Sequence, residues 1–147
     1  MDHSRLYTHG MGDMLGVFMQ WLHFSSLAVL IGGILYGRLV MVPASAALAP
    51  DAREALGDRA AAAFRPFVLG AICGLVVSGV YNILTHPGHR PIYEVLLAIK
   101  LLLAAHAFAL ALLIVRPGNS RRARMMTGVA TSGLVIIAIA AYLRHIY

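Results

Sequence analysis

Four long apolar stretches, at about residues 15–42, 64–85, 92–115 and 125–143, constrain this chain more than any other feature. Each is as long as the roughly 20 apolar residues that a helix needs to cross a hydrocarbon core of about 30 Å. Inside a bilayer the backbone must satisfy its own hydrogen bonds, so only helices and closed barrels cross it. Continuous apolar runs without strict alternation select helices. The expected fold is therefore all-α, a polytopic membrane four-helix bundle forming a single transmembrane domain over residues 1–147. Composition agrees, since 60% of residues are hydrophobic and 12% charged, against about 25% charged in a soluble domain. What remains is too short for a second domain, so any chemistry belongs inside the bundle or on its short loops.

The net charge of +6 is distributed in a way that sets orientation. Arg38, Arg53, Arg59 and Arg65 lie in or beside the first connection, and Arg116, Arg121, Arg122 and Arg124 in or beside the third. Cytoplasmic loops carry the excess of Arg and Lys, so both connections are expected in the cytoplasm, with an N-out/C-out topology. The same placement argues against a nucleic-acid partner, because the arginines sit at span ends rather than on a soluble basic face. Ala44-Ser45-Ala46 resembles a signal-peptidase site, but the preceding apolar segment is longer than the roughly 7 to 15 residues of a signal core. The first helix is expected to be retained.

In the first connection, Asp51 is placed to cap a short surface helix and Glu54 to close a capping box. Small residues suggest close helix contacts: Gly33 with Gly37, Gly70 with Gly74 and Ser78, and Gly128 with Ser132. The single Cys73 lies within the second apolar stretch and reads as packing, since one cysteine supports neither a disulfide framework nor a thiolate cluster.

Ionisable groups deep in a membrane are costly and usually face the bundle interior. His23, Lys100 and His106 are the three here. A rise of roughly 1.5 Å per residue puts His23 and Lys100 about 12 Å below the outer surface and His106 about 20 Å below it. Lys100 and His106 are separated by about 120° around their helix and can flank one cavity. Tyr81, Asn82, Thr131 and Ser132 are available as neutral hydrogen-bonding neighbours. A packed histidine bonded to a backbone carbonyl remains the plain alternative for each ring.

Histidines on facing helices are usual axial ligands of haem b, which makes His23 and His106 candidate iron ligands. Arg38 is a candidate partner for the propionates, beside its default role as a span anchor. The depth difference is an obstacle: without helix tilt, only one of the two histidines can be a ligand. A second grouping lies on the expected outer face: His3, His9, His86, His89 and His145, with Met1, Met11 and Met14. Imidazole and thioether ligands suit copper, whereas His86-Pro87-Gly88-His89 is also ordinary turn chemistry.

The first span, with Trp21-Leu22-His23, Ile31-Gly32-Gly33 and Tyr36-Gly37-Arg38-Leu39, resembles the opening helix of the copper-resistance D (CopD) family and of the related HemJ-type protoporphyrinogen oxidases. Ser78-Gly79-Val80-Tyr81-Asn82 looks like the end of the second helix in that superfamily. Tyr93, then Lys100-Leu101-Leu102-Leu103, then His106 look like its lysine helix, the later histidine being closer to the HemJ version. The resemblance covers nearly the whole chain. It implies a four-helix membrane protein with His23 as haem ligand and with Lys100 and His106 as functional polar residues. HemJ-type enzymes pass electrons from protoporphyrinogen toward the respiratory chain, and CopD-type proteins handle copper in the periplasm. Gly37-Arg38-Leu39-Val40-Met41-Val42-Pro43 departs from the HemJ pattern, which places a proline before the arginine and a further histidine soon after.

The leading expectation is a haem b-binding membrane redox protein of a bacterial-type inner (plasma) membrane. In it Lys100 acts on an anionic propionate, a porphyrin substrate or a quinone oxygen. The alternatives are copper binding or import, and an accessory subunit of a larger membrane complex; a homo-oligomer is compatible with each. The acidic residues Asp2, Asp13, Asp51, Glu54, Asp58 and Glu94 all lie near span ends or in connections, so no carboxylate is placed to orient a histidine base in mid-membrane.

Overall fold

The computed structural model describes the backbone of residues 3–85 and 91–146, with side chains over 14–85 and 92–142. Four long helices dominate it: α1 (His3–Tyr36), α2 (Pro50–Thr85), α3 (Pro91–Ile114) and α4 (Arg122–Ile146). Each is long and apolar enough to cross a membrane. There is no strand among the described residues, and the all-α membrane bundle read from the apolar stretches is the fold observed.

Two boundaries differ from the sequence expectation. The short surface helix before the second span is not separate: α2 runs unbroken for 36 residues, with Pro66 inside it. At 1.5 Å per residue it is about 54 Å long. Its first turns, carrying Asp51, Arg53, Glu54, Asp58 and Arg59, therefore extend beyond a hydrocarbon core of about 30 Å. Asp51 lies within the first turn rather than before it, because Pro50 takes the opening position, where a missing N–H costs nothing. At its far end α1 widens into a π-helical segment, Gly37–Met41, followed by tight turns at Val42–Ala44 and Ser45–Ala47.

The helices pack as two antiparallel hairpins, α1 with α2 and α3 with α4. Glycines set the α1–α2 contact. Phe64 occupies the space where a Gly33 side chain would be, and Ser26 does so at Gly74. Between the hairpins, Ile31 of α1 fills the corresponding space at Gly133 of α4, and Met126 approaches Gly37. Of the expected small-residue contacts, Gly33, Gly37, Gly74 and Gly128 meet a neighbouring side chain, whereas Gly70 meets none.

Burial is uneven along the bundle axis. The core is built from Leu30, Ile34, Val68, Ala71, Ala111, Ile114 and Val129 with their neighbours. On α3 no described residue before Ala107 is buried, and on α4 none after Gly133. The half of the bundle toward the arginine-rich connections is closed around this core. In the opposite half, α3 and α4 leave α1 and α2 partly uncovered. Most exposed large side chains are apolar, including Phe18, Trp21, Leu102 and Leu134, as suits a surface in lipid rather than water.

Candidate functional site

In the open half, a polar contact joins α1 and α2. His23 Nδ1 lies 2.9 Å from Ser78 Oγ. Ser78 is fully buried, and its hydroxyl donates to the Gly74 carbonyl one helical turn back at 2.6 Å. A serine hydroxyl has one proton. With that proton on Gly74 O, Ser78 Oγ accepts from His23 Nδ1–H. In that arrangement Nδ1 carries a proton, and Nε2 has no hydrogen-bond partner among the described residues. Gly74 makes the arrangement sterically feasible, since any side chain there would collide with Ser26 one turn along α1.

Lys100 of α3 is half-buried. Its ammonium has no hydrogen-bond or carboxylate partner among the described residues, where the ion pair is Arg122–Asp58 at the far end. Helix register gives its level along the bundle. Leu110 faces Gly128 across the second hairpin, and Gly133 faces Ile31 across to α1. Counting along these contacts puts Lys100 about three residues, or about 5 Å, from the level of His23.

The other sequence candidates separate from this pair. His106 is exposed on the outer face of α3. The same register puts it at the level of Gly32, about nine residues or 13 Å along the axis from His23. With His106 exposed and about nine residues along the axis from the half-buried His23, the two rings are not brought together. Arg38 lies in the π-helical segment and donates from Nε to Thr127 Oγ1 at 3.0 Å. It is fifteen residues, about 22 Å along α1, from His23, so it braces the arginine end instead of reaching a group held by His23.

Among the neutral neighbours, Asn82 and Thr131 are exposed, and Thr131 is bonded to the Thr127 and Gly128 carbonyls of its own helix. Tyr81 is half-buried, its hydroxyl near Gly16. Cys73 is exposed rather than packed in the core. His86 and His89 lie outside the described residues, as do the side chains of His3, His9 and His145. Among the described residues no three His, Cys, Asp or Glu side chains come together as a metal-binding group.

Ser78 is the site residue that sequence reasoning missed, reading it as a packing position beside Gly74. Its signal was present in the spacing: Gly74 and Ser78 are one turn apart, as are Ser26 and His23 on an antiparallel partner. The register that joins the two pairs is tertiary information.

At the arginine end the polar atoms are used differently. Arg53 donates to the carbonyls of Ser45, Ala46 and Leu48, which closes the end of the α1 extension. Arg122 donates to Ile114 O and Arg116 O and pairs with Asp58 at 2.6 Å. Asn119 caps Leu113 O. Gly118, at φ +68°, makes the turn that lets its N–H reach both oxygens of Asp58, a backbone conformation for which glycine is suited.

Comparison with protein-family models, curated proteins and solved structures finds no match to this chain.

Proposed function

We propose that this protein is a haem b-binding redox protein of a bacterial-type plasma membrane, with His23 as a single protein ligand to iron. The carrying observation is the Nε2 of His23, which has no hydrogen-bond partner among the described residues while Nδ1 is held by the Ser78 contact in the uncovered half of the bundle. A ligating histidine normally has its other ring nitrogen fixed by a hydrogen bond, which sets both tautomer and orientation. Ser78 supplies that bond here. An apolar setting with one imidazole lone pair suits a porphyrin iron, so the residues present fit the group through His23 and do not fit a bis-histidine arrangement with His106.

When bound, the haem would supply one-electron chemistry at iron. The chain's own residues do the rest. Ser78 keeps the imidazole from rotating, and α1 and α2 hold it between them. Lys100 provides a cation for an anionic propionate or for the oxygen of a quinone or porphyrin substrate, and its ammonium has protons to give. The resemblance of Trp21-Leu22-His23 and of the Lys100 helix to CopD and HemJ-type proteins supports the same reading. The arginine-rich connections then face the cytoplasm, and the His23 half opens toward the outer side.

The test is a visible spectrum of the detergent-purified protein, oxidised and dithionite-reduced, with metal analysis of the same sample. A Soret band, reduced α and β bands and stoichiometric iron are expected, and His23→Ala is expected to remove or displace them while the helical content stays intact. A haem-free protein carrying copper would transfer the assignment to metal handling. An unchanged spectrum in His23→Ala would remove His23 from the site.

A further inference from the structure

A second feature, independent of His23, lies at the arginine end. A groove of about 620 Å³ runs beside α1 and α2, within the roughly 300–1,000 Å³ range of ligand sites. Its lining is apolar along most of its length, with Gly32, Gly33, Phe64 and Phe67 at one end and Arg53 and Arg122 as its charged lining residues. Phe67 is 61% exposed and Tyr36 57%, so the groove opens sideways onto the surface that faces lipid. From Arg53 to Phe67 is fourteen residues of α2, about 21 Å, which exceeds half of a hydrocarbon core of about 30 Å. The groove thus joins a cationic end near the membrane boundary to an apolar end deep within it.

The two arginines differ in charge balance. Arg122 is paired with Asp58. Arg53 has its Nε and Nη2 fixed on backbone carbonyls, which orients the guanidinium without neutralising it. No carboxylate pairs with Arg53, and its Nη1 has no partner, among the described residues. A rigid, uncompensated cation at the head of a long apolar groove complements an amphiphile with an anionic head. A water-soluble anion would leave the apolar walls unused, and a zwitterionic lipid would bring its own cation to Arg53.

We propose that this groove binds an anionic phospholipid, with the phosphate on Arg53 and an acyl chain between α1 and α2. The test is native mass spectrometry of the purified protein after exchange into micelles doped with phosphatidylglycerol or with phosphatidylcholine of the same chains. One phosphatidylglycerol per chain is expected to be retained, in preference to phosphatidylcholine by about fivefold. Arg53→Gln should abolish the preference. Ala60→Phe, at an exposed position in the groove wall, should abolish retention while leaving the thermal unfolding midpoint near that of the parent. Because Arg53 also caps the α1 extension, Ala60→Phe decides the matter if Arg53→Gln does not fold. Equal retention of the two lipids by the parent protein, or retention unchanged in Ala60→Phe, would overturn the proposal.

Discussion

The two ends of this bundle use polar side chains in opposite ways. At the arginine end, Arg122, Asn119 and Asp58 place their hydrogen bonds on backbone carbonyls, a backbone N–H and one another, and Arg53 places Nε and Nη2 on carbonyls while its Nη1 has no partner among the described residues. The bonds of Arg122 and Asn119 to Ile114 O and Leu113 O satisfy carbonyls at the end of α3 that have no partner within the helix. At the other end, Ser78 commits one nitrogen of His23, while the second nitrogen and the Lys100 ammonium remain without hydrogen-bond partners among the described residues. Polar groups in the first set hold connections together. In the second, His23 is oriented by Ser78 yet keeps Nε2 without a partner among the described residues, in a medium where leaving a polar group so is expensive. The difference separates scaffold from candidate chemistry more sharply than residue type does, since both ends are built from cations.

That contrast can be broken by substitution. After the loss of pigment expected for His23→Ala, the next largest effect on the cofactor belongs to Ser78→Ala. It deletes the group that orients the ring and is expected to weaken haem retention by about 10- to 100-fold, the usual scale for a residue supporting a metal ligand. The measurement is haem loss to an acceptor such as apomyoglobin, with the unfolding midpoint followed in parallel. A comparable fall in stability without a change in haem retention would make Ser78 a packing residue only. Arg122→Gln should do the reverse. It leaves the buried Ile114 carbonyl without its donor, a cost of about 1–3 kcal/mol for an unsatisfied group. Thermal unfolding in detergent should therefore begin earlier while the visible spectrum of the folded fraction is unchanged. His106→Leu is the smallest expected effect: its ring lies on the outer face, so pigment content and band positions should match the parent. A displaced Soret band in that variant would return His106 to the site.

Much of the fold was legible because membrane insertion is a strong one-dimensional constraint. The lengths of the four apolar stretches announced four helices, and the arginines near residues 38–65 and 116–124 marked the two connections that share an end. The continuity of α2 through Pro66 was less legible. A proline inside a helix is ordinarily a break, and the charged first turns looked like a separate amphipathic element. Of the site, His23 and Lys100 were legible from the cost of burying ionisable groups. The same cost argument failed for His106, because hydropathy along a chain says how deep a residue lies but not which way its helix turns it.

The sequence by itself determined the all-α class of the protein and the number of helices long and apolar enough to span a membrane. Each of these depends on local hydropathy and a fixed rise per residue. Tertiary structure alone decided that His23 meets Ser78, that His106 and Arg38 lie apart from that contact, and that a groove remains beside Arg53. Those outcomes depend on the rotation and register of helices against one another. In lipid these follow from close packing at Gly33, Gly74 and Gly133 rather than from the hydrophobic pattern, because every face of a membrane helix is apolar enough to meet either lipid or a neighbour.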